Sequence, residues 1–403
     1  MTVTTNPPPA SGRPPLVTTP LLLRFVSIIG ASTSLFLLLS VVPIYADSAG
    51  GGGSSAGLAT GALMLTTVIG ELAAPRLVSR FGYRVALAAG LFLLGAPALV
   101  LTLSGSMLWI VAVCLVRGLG FAVTIVAGGA LTVSLIPPER RGEGLALVGI
   151  VSGVPSLVGL PLGVWLVEQV GYTPICVAGG LIALASIAAV PGLPDRELGV
   201  GHAVGVAAGL RTAALMRPVA VFTATALGAG IVVTFLPLAV PAASAEVVTA
   251  ALFVQSAAAM AARWAAGRHG DRRDPSGLVL PGLLVCAAGM LLTAFTASPA
   301  AVLAGVALFG IGFGLMQNAT LTLMYGRVPS AGHATVTALW NFAYDAGMGA
   351  GALAFGALAP HTGYPWAFAL TAAVMLTASV PAWRDRTRPV PPTPAHPGPR
   401  LTT

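Results

Sequence analysis

The stretch Arg117-Gly118-Leu119-Gly120-Phe121, which runs on to Gly171-Tyr172, returns as Phe309-Gly310-Ile311-Gly312-Phe313 running on to Gly363-Tyr364. Matched residues lie 192 positions apart, and no gap is needed to align the copies. Each copy holds two apolar runs joined by a polar turn, so the repeated unit is a pair of hydrophobic helices. A chain carrying such a unit twice is a duplication. Residues common to both copies serve the fold, and polar residues found in one copy alone are candidates for function.

The rest of the chain fits this unit into a membrane. It has 403 residues, is 56% hydrophobic and 8% charged, and has a mean hydropathy of +0.91. A soluble globule carries roughly 25% charged residues, so a soluble fold is excluded. Apolar runs near the ~20 residues needed to cross a bilayer number twelve: 20–45, 55–78, 84–103, 107–135, 143–168, 172–190, 218–241, 246–266, 277–297, 300–325, 333–358 and 364–383. These are spans 1 to 12. The expected fold is an all-α membrane protein with twelve transmembrane helices in two pseudo-symmetric six-helix halves, 20–190 and 218–383. A cytoplasmic linker, 191–217, joins them, and disordered cytoplasmic tails occupy 1–19 and 384–403. The first apolar run is about 25 residues, too long for a signal-peptide core, and is retained as span 1.

All twenty basic residues are arginine, which with fifty glycines suggests a GC-rich bacterial genome. Arginines occupy alternate connections, at Arg76 to Arg84, Arg140 and Arg141, Arg196 to Arg217, Arg263 to Arg273, Arg327 and Arg384 to Arg388. The connections near Asp47, Ser104, Glu168, Glu246, Ser298 and His361 have none. By the positive-inside rule the arginine side is cytoplasmic, which places both termini inside the bacterial cytoplasmic (inner) membrane. The net charge of +8 is then a topology signal, and no nucleic-acid partner is expected. Cys114, Cys176 and Cys286 lie in apolar runs without metal or disulfide spacing and read as small apolar fillers.

The repeat also relates Pro75–Arg80, after span 2, to Gly267–Arg272, after span 8. Six spans per half is an even number, so the halves share one orientation and enclose a site near the midplane. At this point the sequence resembles the major facilitator superfamily, in its bacterial twelve-span efflux-permease branch, over nearly all of its length. That family's loop between spans 2 and 3 reads Gly-x-Leu-x-Asp-Arg-x-Gly-Arg-Lys/Arg. The first copy here keeps Leu77, Arg80, Gly82 and Arg84 but has Pro75 and Ser79; the second keeps Gly267, Asp271 and Arg272 but has Asp274 in place of the later Gly. Arg117 with Gly118 and Gly120 looks like the family's span-4 arginine motif. Gly153-x-Pro155 and Gly159-Leu-Pro161-Leu-Gly163 look like its span-5 exporter motif. The resemblance implies alternating access and a cavity lined by spans 1, 4, 7 and 10. Ser32, Thr124, Gln317 and Asn318 become candidate substrate contacts. Arg76, Arg80, Arg84, Arg263, Gly267, Asp271 and Arg272 become a candidate cytoplasmic gate.

Three charges are read as lying inside the spans: Glu71, Arg117 and Asp345. Each costs about 2.5 to 3.5 kcal/mol at a bilayer centre on the insertion scale, so each needs a reason. Asp345 lies about 20 Å from the cytoplasmic end of span 11 and is able to load and release a proton, with Asn341 one turn away on the same face. The alternative is an aspartate held permanently by an arginine or by backbone donors. Arg117 never loses its proton; it can hold a carboxylate or an anionic substrate, or simply pack through carbonyls. Glu71, about 10 Å deep, has Arg263 as its repeat partner and either serves in proton coupling or snorkels to the interface. Trp340 and Tyr344, one helical turn apart, either stack on substrate or pack.

No lysine exists for a nucleotide-binding loop, and the histidines fall in loops or the tail, so neither an ATP-driven pump nor an enzyme is expected, and no cofactor or metal. The expected function is proton-coupled export of a small amphipathic molecule, a drug or secondary metabolite, by a monomer whose partners are substrate, protons and lipid. The alternatives are a proton-coupled importer of a sugar or carboxylate, with Arg117 binding the anion, and a transport-inactive sensor or scaffold on the same fold.

Overall fold

Twelve crossings follow from how the helices begin, bend and end. The computed structural model describes residues 15–137, 140–195, 213–241, 244–270, 274–328 and 332–386. Span 1 is the helix Thr19–Ala46, started by Thr18, whose hydroxyl accepts the Leu21 N–H at 3.4 Å. Spans 2 and 3 are one long helix, Gly52–Leu99, turned back on itself at Gly82. Spans 4 to 6 are Met107–Leu135, Arg141–Val170 and Tyr172–Ala185, the last extended by a 3-10 segment Ser186–Gly192. Spans 7 to 11 are Ala213–Ala239, Ala245–Gly270, Ser276–Thr293, Pro299–Tyr325 and His333–Thr362. Span 12 joins Tyr364–Thr377 to Ser379–Arg386.

Among the described residues, ten stretches are long and apolar enough by themselves to cross a membrane. Gly52–Leu103 among them is 52 residues, enough for two crossings, and His333–Thr362 is 30 residues long but diluted by polar side chains such as Asn341 and Asp345. Twelve crossings put both ends of the described chain on one face, here the terminal face; the opposite side is the far face.

The Gly-Tyr that closes each copy of the repeat has a backbone cause. Gly171 and Gly363 cap spans 5 and 11 at φ 78° and 77°, a region that L side chains avoid, and their N–H groups return to Val167 and Ala359 carbonyls at 3.0 and 2.8 Å. The Gly-x-Gly that opens each copy is a close approach. A Cβ on Gly118 would overlap the Leu63 carbonyl, and one on Gly310 the Gln255 carbonyl; Leu63 and Gln255 are themselves repeat mates, 192 positions apart. Membrane helices lack a hydrophobic force between them and associate through such tight backbone packing.

Helix neighbours obey the same symmetry. Span 4 packs on spans 2 and 3, and span 10 on spans 8 and 9. Span 5 packs on span 1, and span 11 on span 7. Between the halves, span 2 meets span 11, span 8 meets span 5, and span 1 meets span 7. Large apolar side chains such as Leu65, Phe92, Trp165 and Leu291 remain exposed, as a lipid-facing surface requires.

Contacts between spans 2 and 11 begin at the far face and run inward. Gly57 lies against Ala352 and Gly356, Gly61 against Leu353, and Gly349 against Met64. Thr60 and Thr234 share a hydrogen bond of 3.0 Å between spans 2 and 7. One hydrophobic cluster draws on both halves here. Two further clusters, around Tyr83 and around Phe25, are built from the first half alone.

Candidate functional site

The inward end of this series of contacts is polar. The Glu71 side chain on span 2 and the Asp345 side chain on span 11 come within hydrogen-bonding reach of each other between the halves. A hydrogen bond between two carboxyl groups needs a proton on one of them, because an ionised carboxylate only accepts. Asp345 is 5% exposed, and Asn341, half-buried, lies one turn before it on the same face. The sequence reading separates the two acids by about 10 Å of depth because it ends span 2 at residue 78. The helix instead continues to Gly82, which sets Glu71 about 16 Å from that bend and Asp345 about 18 Å from His333.

A second group gathers beside this pair. Arg263, exposed on span 8, donates from Nη1 to Gln317 Oε1 at 3.5 Å and lies within electrostatic reach of Tyr344. Tyr344 belongs to an aromatic wall: its ring stacks 6.2 Å from Trp340, 6.2 Å from Phe222 and 6.1 Å from Phe313. Trp340 stacks on Phe222 at 4.5 Å and donates its indole N–H to Thr320 Oγ1 at 3.2 Å. Trp340 and Tyr344 are half-buried while Phe222 is fully buried.

Other expected residues sit elsewhere. Arg117 is wholly buried inside the first half, where Nε donates to the Leu94 carbonyl and Nη2 to the Ser34 carbonyl, each at 3.2 Å. Its Nη1 and the Ser34 hydroxyl have no described partner. Thr124 bonds its own helix at Gly120 O, 2.8 Å away, and packs on Gly90 of span 3. Ser32 is half-buried on span 1, and Asn318 lies beside Gly267 and accepts from Thr322 at 3.4 Å. Of the gate residues, Arg76 is exposed and Arg80 lies over the Phe81 ring at 5.2 Å. Arg84 donates its backbone N–H to Asp195 Oδ1 at 3.1 Å and its Nε to the Leu193 carbonyl. Asp271 and Arg272 lie outside the described residues.

Two features escape the sequence reading. Arg24 is a fourth charge within a span, 5% exposed, donating from Nε to Gly128 O at 3.1 Å and Thr132 Oγ1 at 3.0 Å, and from Nη1 to Ser27 Oγ at 2.6 Å. Its place five residues inside Thr19–Ala46 is the available signal. Phe222 is the second, an aromatic in an apolar run whose role shows only once the fold brings span 7 against span 11.

A duplicated twelve-crossing bundle, with paired acids between its halves and an aromatic wall in its second half, defines a polytopic membrane transporter. The sequence model of the Major Facilitator Superfamily matches residues 24–352, and the chain belongs to that family. Members bind small molecules within a lipid bilayer and are transporters, not enzymes. The Chloramphenicol resistance protein of Streptomyces lividans is 26% identical over 384 residues, 90% of this chain and 95% of that one. The Multidrug resistance protein MdtH of Aeromonas hydrophila subsp. hydrophila is 26% identical over 275 residues, 66% of this chain and 69% of its own. Among solved structures, the partially occluded inward open xylose transporter XylE from E. coli matches with a TM-score of 0.73 at 14% identity, covering 91% of this chain and 97% of its own. The nucleoside transporter NupG matches with a TM-score of 0.70 at 12% identity, covering 93% of this chain and 100% of its own. At such identity these two show the fold alone.

Proposed function

We propose that the protein exports a small amphipathic molecule, a drug or secondary metabolite, against proton entry through a bacterial inner membrane. Its terminal face is cytoplasmic, as the arginine distribution requires. The observation that carries the reading is the approach of the Glu71 and Asp345 side chains to each other across the interface between the halves. With one proton the pair bridges the halves; with none, two carboxylates repel each other in a site where charge is poorly screened. Proton number and the separation of the halves are therefore linked, which is what coupling requires. The far-face contacts of Gly57, Gly61 and Thr60 hold that side of the seam between the halves closed. The relatives named for multidrug and chloramphenicol resistance support export over import.

The test is transport of a compound panel into everted membrane vesicles under an imposed proton gradient. Asp345→Asn and Glu71→Gln are each expected to lose gradient-driven accumulation by at least about tenfold, a difference of about 1.4 kcal/mol. Substrate exchange at zero gradient is expected to survive in both. Full gradient-driven accumulation by the double variant would remove the pair from the mechanism.

A further inference from the structure

The pseudo-symmetry of the halves gives Arg263 an unusual position. Glu71 and Arg263 are repeat mates, as are Asp345 and Gly153. On one side of the molecule Glu71 of span 2 meets Asp345 of span 11; on the other, span 8 packs on span 5, and Arg263 lies one turn from Met260, the span-8 residue next to Gly153. There the acid is absent. A Cβ built on Gly153 has Met260 Cε, at 3.2 Å, as its sole described neighbour within 4 Å, and a thioether end is free to move. Arg263 has no carboxylate within ion-pair reach among the described residues, and its bond to Gln317 is long at 3.5 Å and goes to a neutral oxygen.

From this we infer that Arg263 is the anion-binding residue of the translocation site, and that the molecule it takes is an amphipathic monocarboxylate. The inference rests on the transport reading above and names its substrate class. A guanidinium grips a carboxylate through two parallel N–H donors, and the room opposite at Gly153 admits one. Tyr344 and Gln317 supply further donors at the same place, while the Trp340–Tyr344 edge offers a face for the apolar portion. Arg117, the other candidate, is already committed to two carbonyls and has no exposed surface.

The experiment measures binding to the purified full-length protein in lipid nanodiscs. The probes are N-acyl-phenylalanines of several chain lengths, each paired with its primary amide. Wild type is expected to bind an acid more tightly than the matching amide. Arg263→Gln should weaken acid binding about ten- to a hundredfold, the worth of one charged hydrogen-bonded contact, and leave the amide within about twofold, which also reports a folded protein. Arg263→Lys should keep part of the acid preference. Gly153→Asp should supply the missing carboxylate from within and suppress acid binding, and adding Arg263→Gln to it should cause no further loss. Equal losses on acid and amide, unchanged acid affinity in Arg263→Gln, or a wild type that binds no acid or shows no preference for it would each overturn the inference. Gradient-driven transport of the amide is scored separately. Its absence together with an intact acid preference would sink proton coupling and leave the anion site standing.

Discussion

At Arg24 and Arg117 the first half buries two guanidinium groups that answer their charge with backbone and hydroxyl oxygens. Such a cation is held by several partners at once, so its surroundings must fit closely. Gly128 is the clearest instance, because a Cβ there would overlap the Arg24 Nη2. Gly128→Ala is therefore expected to cost about 1 to 3 kcal/mol by overpacking. On an Arg24→Ala background the same change should cost less than about 0.5 kcal/mol, since neighbours that share a contact are not additive. Thermal unfolding of the four proteins in detergent measures the cycle. Equal costs in both backgrounds would show that Gly128 is not shaped by the arginine. The legibility of charged residues in the sequence follows how they act. Asp345 is singled out by its depth alone, because burial is costly wherever the partner lies. Its partner Glu71 is visible as a charge but not as a pair, since the four-residue step from the expected end of span 2 to the bend at Gly82 shifts its depth by about 6 Å.

Helix ends and helix crossings are more readable than side-chain pairings, because they leave glycine at fixed places. The repeated Gly-Tyr predicts two equivalent turns, and Gly171 and Gly363 have φ values one degree apart. Gly171→Ala and Gly363→Ala should each destabilise by about 1 to 3 kcal/mol, the range for a side chain forced into a sparsely populated backbone region. The two costs should match, since nothing within 4 Å crowds Gly171 and at Gly363 the nearest atom is Pro365 Cδ at 3.9 Å. A drop in melting temperature for one variant alone would mean that the two turns are not equivalent. The aromatic wall is not legible at this scale. Trp340 and Tyr344 share a face of one helix, but Phe222 comes from a span more than a hundred residues earlier, and no periodicity within either helix reports the crossing.

For the molecule as a whole, duplication makes the architecture nearly redundant, so the fold follows from the sequence while the chemistry lies in what the two copies do not share. The inter-half seam is where this asymmetry meets motion. On the far face, Thr60 and Thr234 place their hydroxyl oxygens 3.0 Å apart, with Gly57 so close to Ala352 that no side chain fits between. If the halves rock, this contact opens whenever the far side admits or releases substrate. A Thr60→Cys/Thr234→Cys pair, in a background where the buried Cys114, Cys176 and Cys286 are replaced by alanine, should form a disulfide under mild oxidation because the side chains already meet. Once formed, it should stop net transport while leaving substrate binding from the terminal face intact, and reduction should restore transport. Adding Gly57→Leu, which wedges the same seam, should slow the cross-link at least about tenfold by favouring the separated state. The cross-linking rate on a denaturing gel and transport before and after reduction give the result. A cross-linked protein that still transports at the wild-type rate would show that the far seam is static and that substrate leaves by another route.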